Sequence, residues 1–174
     1  MSRLTRWQLA FAQTALCFSL TIAAQTGSQV TTSVTVAGKV AENLALTVAD
    51  LKRYPAHQVE YVPGSAVEQK AVGPVRRYVG CLLRDVLTAA KPVESKPREL
   101  RKSYVVATAS DGYEVVFSWA ELFVSPVGDN VFVVYERDGA QLPDDEGQIA
   151  LIAVTDTRPV RHVKWLRSLT LRAA

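Results

Sequence analysis

The sequence predicts an α+β fold, with a mixed, largely antiparallel β-sheet and about three short helices. Short segments in which apolar and polar residues alternate, many of them β-branched, recur along the chain. Segments between them carry helical spacing or a helix-start motif, and Asp-Gly pairs follow apolar runs. Strands that outnumber short helices, without alternating with them regularly, are typical of α+β proteins.

The composition is that of a folded globular protein that does not bind nucleic acid. With 174 residues the chain fits one domain of the usual size, roughly 100–200 residues. Hydrophobic residues make up 48% of the chain, as expected for a protein with a packed core. The net charge is +3 and the basic residues are scattered, which excludes a nucleic-acid footprint. We predict that the domain spans residues 34–174.

The first 24 residues have the pattern of a secretory signal peptide. Arg3 and Arg6 precede an apolar run from Leu9 to Ala24 that ends in small residues. The alternative is an uncleaved anchor helix, although the run is short against the ~20 residues that span a membrane. We therefore expect a periplasmic or secreted protein with no stable membrane span after cleavage. Residues 25–33 are predicted to form a flexible mature N-terminus.

The first half of the domain begins with a strand and a short helix. Alternation predicts a half-exposed strand over Val30–Val40. Thr47 and Asp50 have the spacing of a capping box, which predicts a short helix that runs through Arg53 and stops before Pro55.

A pair of strands and a second helix follow. His57–Val62 and Val72–Val79 are predicted strands, and Pro63–Ser65 is a turn between them. Leucine and valine recur at helical spacing from Leu82, which predicts a helix to Ala90. Pro92–Arg101 is charged and contains proline, so we expect a surface loop with one helical turn at most.

The second half of the domain is richer in strands. Tyr104–Ala109 and Tyr113–Phe117 flank an Asp-Gly pair, which predicts a hairpin because glycine tolerates the positive φ of tight turns. Ser118 and Glu121 have the spacing of a second capping box, and a short helix is expected after them. The remaining predicted strands, the last with a bulge near Leu166–Arg167, are Asn130–Glu136, Ile149–Val154 and Val163–Leu171.

The usual catalytic motifs are absent from the sequence. It contains no phosphate-binding loop, no dinucleotide-binding glycine motif and no nucleophile elbow. After removal of the leader only Cys81 remains, and it is buried, bridged to another molecule or a ligand. His57 and His162 with a carboxylate would make a zinc site, and the alternative is two partly exposed strand histidines.

Five motifs occur in a fixed order along the chain. They are Y-V-G-C-L-L-R-D-V-L at Tyr78–Leu87, S-D-G-Y at Ser110–Tyr113, D-G-A-Q-L at Asp138–Leu142, G-Q-I-A-L at Gly147–Leu151 and R-H-V-K-W-L at Arg161–Leu166. This ordered set resembles the molybdopterin-binding oxidoreductase domain of sulfite oxidases and their bacterial relatives. The resemblance covers residues 34–171 and implies the sulfite-oxidase-type fold.

The resemblance also implies a pocket for an anionic pterin pyrophosphate. Its candidate cofactor-binding residues are Arg161, Lys164, Asp111 and Tyr113. The planar guanidinium of arginine can donate two hydrogen bonds to one phosphate, and the ammonium group of lysine provides a compact positive charge. On a regular strand, however, Arg161 and Lys164 would face opposite sides, and the alternative is that both are solvated on an edge strand. Asp111 is otherwise a hairpin residue, and Tyr113 otherwise packs in the sheet.

The metal ligand of that family is a cysteine before the Y-x-G segment, and residues 59–68 contain none. We therefore expect no metal ligand, with Cys81 either a displaced ligand or a small buried residue. No cofactor is expected, and molybdopterin is the alternative. The predicted function is an exported non-catalytic module that binds an anionic small molecule or a periplasmic protein. The alternatives are a minimal molybdopterin-dependent oxidoreductase and an accessory subunit of a periplasmic sensor or redox complex, and no catalytic residue is assigned.

Overall fold

The computed structural model describes residues 30–62 and 73–174. Within these residues the strands in chain order are β1 (Ser33–Gly38), β2 (Leu44–Thr47), β3 (His57–Tyr61), β4 (Arg76–Leu82), β5 (Ser103–Ala109), β6 (Glu114–Ser118), β7 (Val131–Arg137), β8 (Ala140–Gln141), β9 (Ala150–Ala153) and β10 (Leu166–Ala173). The helices are α1 (Val48–Leu51), α2 (Leu83–Ala89) and α3 (Trp119–Phe123). The 3-10 helices are Glu99–Lys102, Pro126–Asn130 and Pro159–Arg161. The α+β prediction is confirmed, whereas the predicted leader and the Pro63–Ser65 turn lie outside the described residues.

Two five-stranded sheets carry the fold. The first has the order β2-β1-β10-β5-β6, and its β1 runs parallel to β10 while the other neighbours are antiparallel. The second has the order β3-β4-β7-β8, and β9 pairs with the other half of β7. The predicted pairing of the two strands around residues 63–72 is confirmed, because β3 and β4 are antiparallel neighbours.

The main core lies where the inward faces of these strands meet α2 and α3. Alternate residues along each strand point to one face, so Val34 and Val36 of β1 enter the core with Leu169 and Leu171 of β10. Each fully buried aliphatic side chain stabilises the fold by roughly 1.5–3 kcal/mol relative to exposure. From the second sheet the core receives Cys81.

A smaller apolar cluster covers the other face of the second sheet. Its buried members are Tyr61, Tyr78, Leu82, Phe132, Val134, Leu142, Ala150 and Ile152. Alternation along β4 produces the division, because Tyr78 and Leu82 belong to this cluster while Cys81 belongs to the main core. Gly80 allows β4 to approach β7 closely, since a Cβ there would lie 2.3 Å from the Val133 carbonyl oxygen.

The predicted local motifs are present. Thr47 caps α1 with a capping box to Asp50, and Ser118 caps α3 with a capping box to Glu121. The Asp-Gly hairpin joins β5 to β6. The predicted bulge also occurs, because the register of β10 on β5 shifts between Leu166 and Ser168.

Several strand bounds differ from the predicted ones, and one difference bears on the site. The first strand is shorter than predicted, whereas the strand predicted at Val72–Val79 begins at Arg76 and continues to Leu82. The strand predicted from Val163 begins only at Leu166. Arg161 lies in a 3-10 helix, and Trp165 has φ 48°, a left-handed conformation that interrupts an extended strand. The prediction that Arg161 and Lys164 lie on one regular strand was therefore wrong.

Within the described ranges, no helix combines the length and the apolar character that a membrane crossing would require.

Candidate functional site

Three aromatic rings meet on the outer face of the second sheet. The Tyr61 and Tyr78 ring centroids are 6.1 Å apart, and His162 lies 5.6 Å from Tyr61 and 6.3 Å from Tyr78. All three pairs are close to edge-to-face, the arrangement that the ring quadrupole favours. Tyr61 is the last residue of β3, Tyr78 lies in β4, and His162 follows the Pro159–Arg161 helix. We call this group the aromatic triad.

A buried carboxylate stands beside the aromatic triad. Glu146 is only 2% exposed, and it accepts hydrogen bonds from the Tyr78 hydroxyl at 3.0 Å and from Arg137 Nη1 at 2.7 Å. A buried charge is tolerable only when it is paired and hydrogen-bonded, and Arg137 fulfils that condition. Burial raises the pKa of Tyr78 and the adjacent Glu146 carboxylate raises it further, so this phenol remains a donor.

Two polar atoms of the triad are buried and have no hydrogen-bond partner among the residues that the structure describes. They are the Tyr61 hydroxyl and His162 Nε2. Burial raises the pKa of Tyr61 to about 12 and lowers that of His162 to about 4. The phenol is therefore protonated and the imidazole neutral at pH 7. Because an unsatisfied buried polar atom costs ~1–3 kcal/mol, such atoms point to a function or to a bound molecule.

Backbone hydrogen bonds fix the segment around Glu146 against the chain that carries His162. The Trp165 N–H donates to the Glu146 carbonyl at 2.7 Å, and its indole Nε1 donates to the Asp144 carbonyl at 2.7 Å. Gly147 adopts φ +81°, and a Cβ there would lie 2.8 Å from Trp165 Cδ1. Lys164 Nζ lies 6.0 Å from the centre of the Trp165 ring. Lys164 follows His162 by two residues, and its charge lowers the pKa of His162, although less than burial does.

Arg161 is engaged in contacts within the protein. Its Nε donates to Asp156 Oδ2 at 2.7 Å, its Nη1 donates to Glu121 Oε1 at 3.2 Å, and its guanidinium stacks 4.6 Å from the Phe117 ring centre. Hydrogen bonds to Asp156 raise the pKa of Arg161. With two carboxylates already bound, this guanidinium has little capacity left for an anionic ligand.

Tyr113 and Asp111 form hydrogen bonds within the protein, close to Arg161. The Tyr113 hydroxyl donates to the carbonyl of Val160, and its backbone N–H donates to Asp111 Oδ1 at 2.9 Å. These bonds tie the β5–β6 turn to the Pro159–Arg161 helix. Of the two basic residues predicted for the pocket, Arg161 is held in ion pairs. Lys164 makes no ion pair with the described part of the chain, and it lies over the Trp165 ring.

Cys81 lies on the opposite face of β4 from the triad. It is fully buried in the main core, and its Sγ is 3.9 Å from the Val133 carbonyl oxygen. Burial raises the pKa of its thiol to about 12, with Asp85 adding to the effect. A thiol must lose its proton to bind a metal, and here both position and pKa oppose that. The described ranges contain no group of histidine, cysteine and carboxylate residues that could hold a metal.

A cleft of about 580 Å³ opens at the edge of the second sheet. Carboxylates of Glu60, Glu136 and Asp138 line it together with Arg77. Asp138 already accepts the Arg77 backbone N–H at 3.0 Å. Because acid outweighs base in this cleft, it does not suit an anionic ligand.

Sequence reasoning missed most of the triad and its carboxylate. Tyr61, Tyr78, Arg137 and Glu146 were not proposed, and His162 was considered only as a zinc ligand or a partly exposed strand histidine. The available signals were that Tyr78 and His162 lie inside two of the five ordered motifs, and that Glu146 directly precedes a third.

The fold and these positions define a domain of the molybdopterin-binding oxidoreductase class. The family model of the oxidoreductase molybdopterin binding domain matches residues 23–174, and the chain belongs to that family. The chain is also similar to the crystal structure of the sulfane dehydrogenase SoxCD from Paracoccus pantotrophus, with a TM-score of 0.62 and 19% sequence identity. The likeness covers 82% of this chain and 39% of that chain, and at this identity it establishes the shared fold. No curated protein matches the chain.

The described residues fit only part of a molybdenum cofactor. The Tyr61 hydroxyl, the neutral His162 and the Lys164 ammonium can form hydrogen bonds to an organic, anionic ligand. The soft thiolate that molybdenum would require is not available from Cys81, which faces the main core. The residues therefore do not fit a thiolate-bound metal.

Proposed function

We propose that this domain is an exported, non-catalytic binding module that retains the molybdopterin-oxidoreductase fold without a protein thiolate for molybdenum. The observation that carries the proposal is the position of Cys81, fully buried in the main core on the face of β4 opposite the triad. The other cysteine, Cys17, lies in the predicted leader and would be removed with it. Export rests on that leader and places the protein in the periplasm or the medium.

The ligand that suits the triad best is an anionic small molecule with hydrogen-bonding groups. Tyr61 supplies a hydroxyl, His162 a neutral imidazole nitrogen and Lys164 a positive charge. The nearby Glu146 carboxylate does not repel such a ligand strongly, because Arg137 neutralises it. A periplasmic protein that inserts an acidic side chain could bind to the same hydroxyl, imidazole and ammonium groups.

The test is the molybdenum and pterin content of the mature protein, produced with its own leader in a host that makes the cofactor. We expect no stoichiometric molybdenum, because no thiolate is available to bind it. About one molybdenum per chain, together with pterin fluorescence after oxidation, would refute the non-catalytic module. The Cys81→Ala variant is the matched control, and metal lost only in that variant would identify Cys81 as a ligand after all. The intact mass of the exported protein reports cleavage of the leader.

A minimal molybdopterin-dependent oxidoreductase is the second candidate. The unpartnered atoms of Tyr61 and His162 favour it, because they could hold the organic part of a cofactor whose metal supplies redox chemistry. Pterin that co-purifies with the wild type and is lost in both Tyr61→Phe and His162→Phe would support this candidate. Pterin content that is unchanged in both variants would exclude binding at the triad.

A further inference from the structure

A second, separate region of the surface carries unpaired positive charge. The stretch from Lys91 to Lys102 contains five basic and two acidic residues, and it leads into β5. Lys96, Arg98 and Lys102 are exposed and form no ion pair with any residue that the structure describes. All three line one cleft of about 350 Å³, together with Pro97, Glu99 and the end of β10. We call this feature the basic cleft.

The backbone of the basic cleft is held in place by its one acidic residue. Glu99 Oε2 accepts the backbone N–H of Ser95 at 2.8 Å and that of Lys96 at 3.3 Å, while its Oε1 pairs with Lys39 Nζ at 2.6 Å. Glu99 is thereby neutralised and also fixes the loop before the 3-10 helix. Lys96, Arg98 and Lys102 therefore stand on a constrained backbone and form no ion pair with a described residue. The constraint lowers the entropic cost of binding.

Two further observations distinguish the cleft from an ordinary solvated surface. Arg98 adopts φ +67°, a left-handed conformation that is costly for a residue with a long side chain. Ser103 is buried at 2% exposure, and its hydroxyl has no hydrogen-bond partner in the described part of the chain. Ser103 pairs with Ala173, so both side chains lie on the same face of the sheet, and Ala173 lines the cleft.

We propose that the basic cleft binds a tetrahedral oxyanion, as free phosphate or sulfate or as the phosphate group of a larger molecule. Arg98 provides a planar fork of donors, and Lys96 and Lys102 provide point charges. The volume lies near the lower end of the roughly 300–1,000 Å³ of ligand pockets, which suits a small anion or one small organic group attached to it. This site shares no residue with the aromatic triad, so it does not depend on the function proposed above.

The test is a titration of the isotope-labelled protein with sodium phosphate, against sodium chloride at matched ionic strength, followed by amide chemical shifts. We expect saturable shifts at Lys96, Arg98, Lys102 and Ser103 with phosphate only. The triple variant Lys96→Gln, Arg98→Gln, Lys102→Gln should bind at least about tenfold more weakly, because each lost charge-assisted hydrogen bond is worth roughly 1.5–3 kcal/mol. Phosphate-specific shifts that survive in the triple variant would overturn the proposal, and so would a failure of both phosphate and the lipid probe described below.

The matched control removes the same charge elsewhere. Arg53→Gln, Arg158→Gln and Arg167→Gln neutralise exposed arginines outside the cleft, and phosphate affinity should stay within about twofold. An equal loss in this control would mean that net charge alone attracts the anion, which refutes a built site. Vesicles of phosphatidylglycerol give the second arm: if inorganic phosphate fails but vesicles bind the wild type and not the cleft variant, the phosphate belongs to a lipid headgroup. Failure of both probes refutes the proposal.

Discussion

Replacing Glu146 by glutamine should destabilise the protein strongly. The carboxylate is 2% exposed and accepts hydrogen bonds from Tyr78 and Arg137. Glutamine has nearly the same shape but carries no charge, so Arg137 would be left partly buried without its counter-ion. The Arg137 side chain is 22% exposed, which lets water offset part of that loss.

The expected magnitude follows from these contacts. Removing one partner of a fully buried ion pair costs roughly 3–5 kcal/mol. Because Arg137 reaches solvent and glutamine can still accept a hydrogen bond from Tyr78, we expect about 2–3 kcal/mol for Glu146→Gln. A domain of this size loses about 2–4 °C of Tm for each kcal/mol, so the melting temperature should fall by several degrees.

The assay is urea denaturation followed by tryptophan fluorescence, with Glu136→Gln as the matched control. Glu136 pairs with Lys52 at 2.6 Å, but their side chains are 29% and 50% exposed. A solvent-screened pair contributes ~0–1 kcal/mol, so the control should change the unfolding free energy little. If Glu146→Gln were no more destabilising than Glu136→Gln, Glu146 would not be the buried ionic centre described above.

Three further predictions concern the same structure. Burial lowers the pKa of His162 in the folded protein to about 4 from its ordinary value of 6.5, so the unfolded chain binds more protons between these values. The free energy of unfolding should therefore be highest above pH ~6.5 and fall as pH falls toward about 4, and His162→Phe should flatten that slope. Ser118→Ala should lower the free energy of unfolding by ~1 kcal/mol, because it removes the cap of α3. The same substitution should have a smaller effect in the Glu121→Ala variant if the two residues form a capping box. Cys81 should resist a thiol reagent in the native protein and react in urea, whereas fast native labelling would contradict its burial.

The features that were correctly predicted are those that depend on near neighbours. The Thr47–Asp50 and Ser118–Glu121 capping boxes join residues three apart, and the β5–β6 hairpin closes at an Asp-Gly pair. Such contacts form wherever the local chain permits them, so residue type and spacing are sufficient. The family predicted from the ordered motifs is confirmed, because each motif is a short local pattern that the sequence displays directly.

The site could be predicted only in part, because its contacts join distant positions. Tyr78 meets Glu146 across 68 residues, and Arg161 meets Glu121 across 40. No local pattern reveals that Arg161 forms ion pairs with two carboxylates, or that the His162 ring lies edge-to-face against two tyrosine rings. Lys164 was predicted to bind the cofactor, and that stays a prediction. Its position follows from the left-handed turn at Trp165, which no local pattern revealed.

The sequence by itself determined the strand-rich α+β architecture, the caps and hairpins, and the family. The tertiary structure decided which face of each strand became core, and this separates Cys81 from the triad although only two residues stand between Tyr78 and Cys81. It also decided which charges are paired: Arg161 and Glu99 form ion pairs, whereas Lys164 and Arg98 form none within the described ranges. The physical reason is that burial and ion pairing depend on the path of the whole chain, whereas alternation and capping depend on a few adjacent residues.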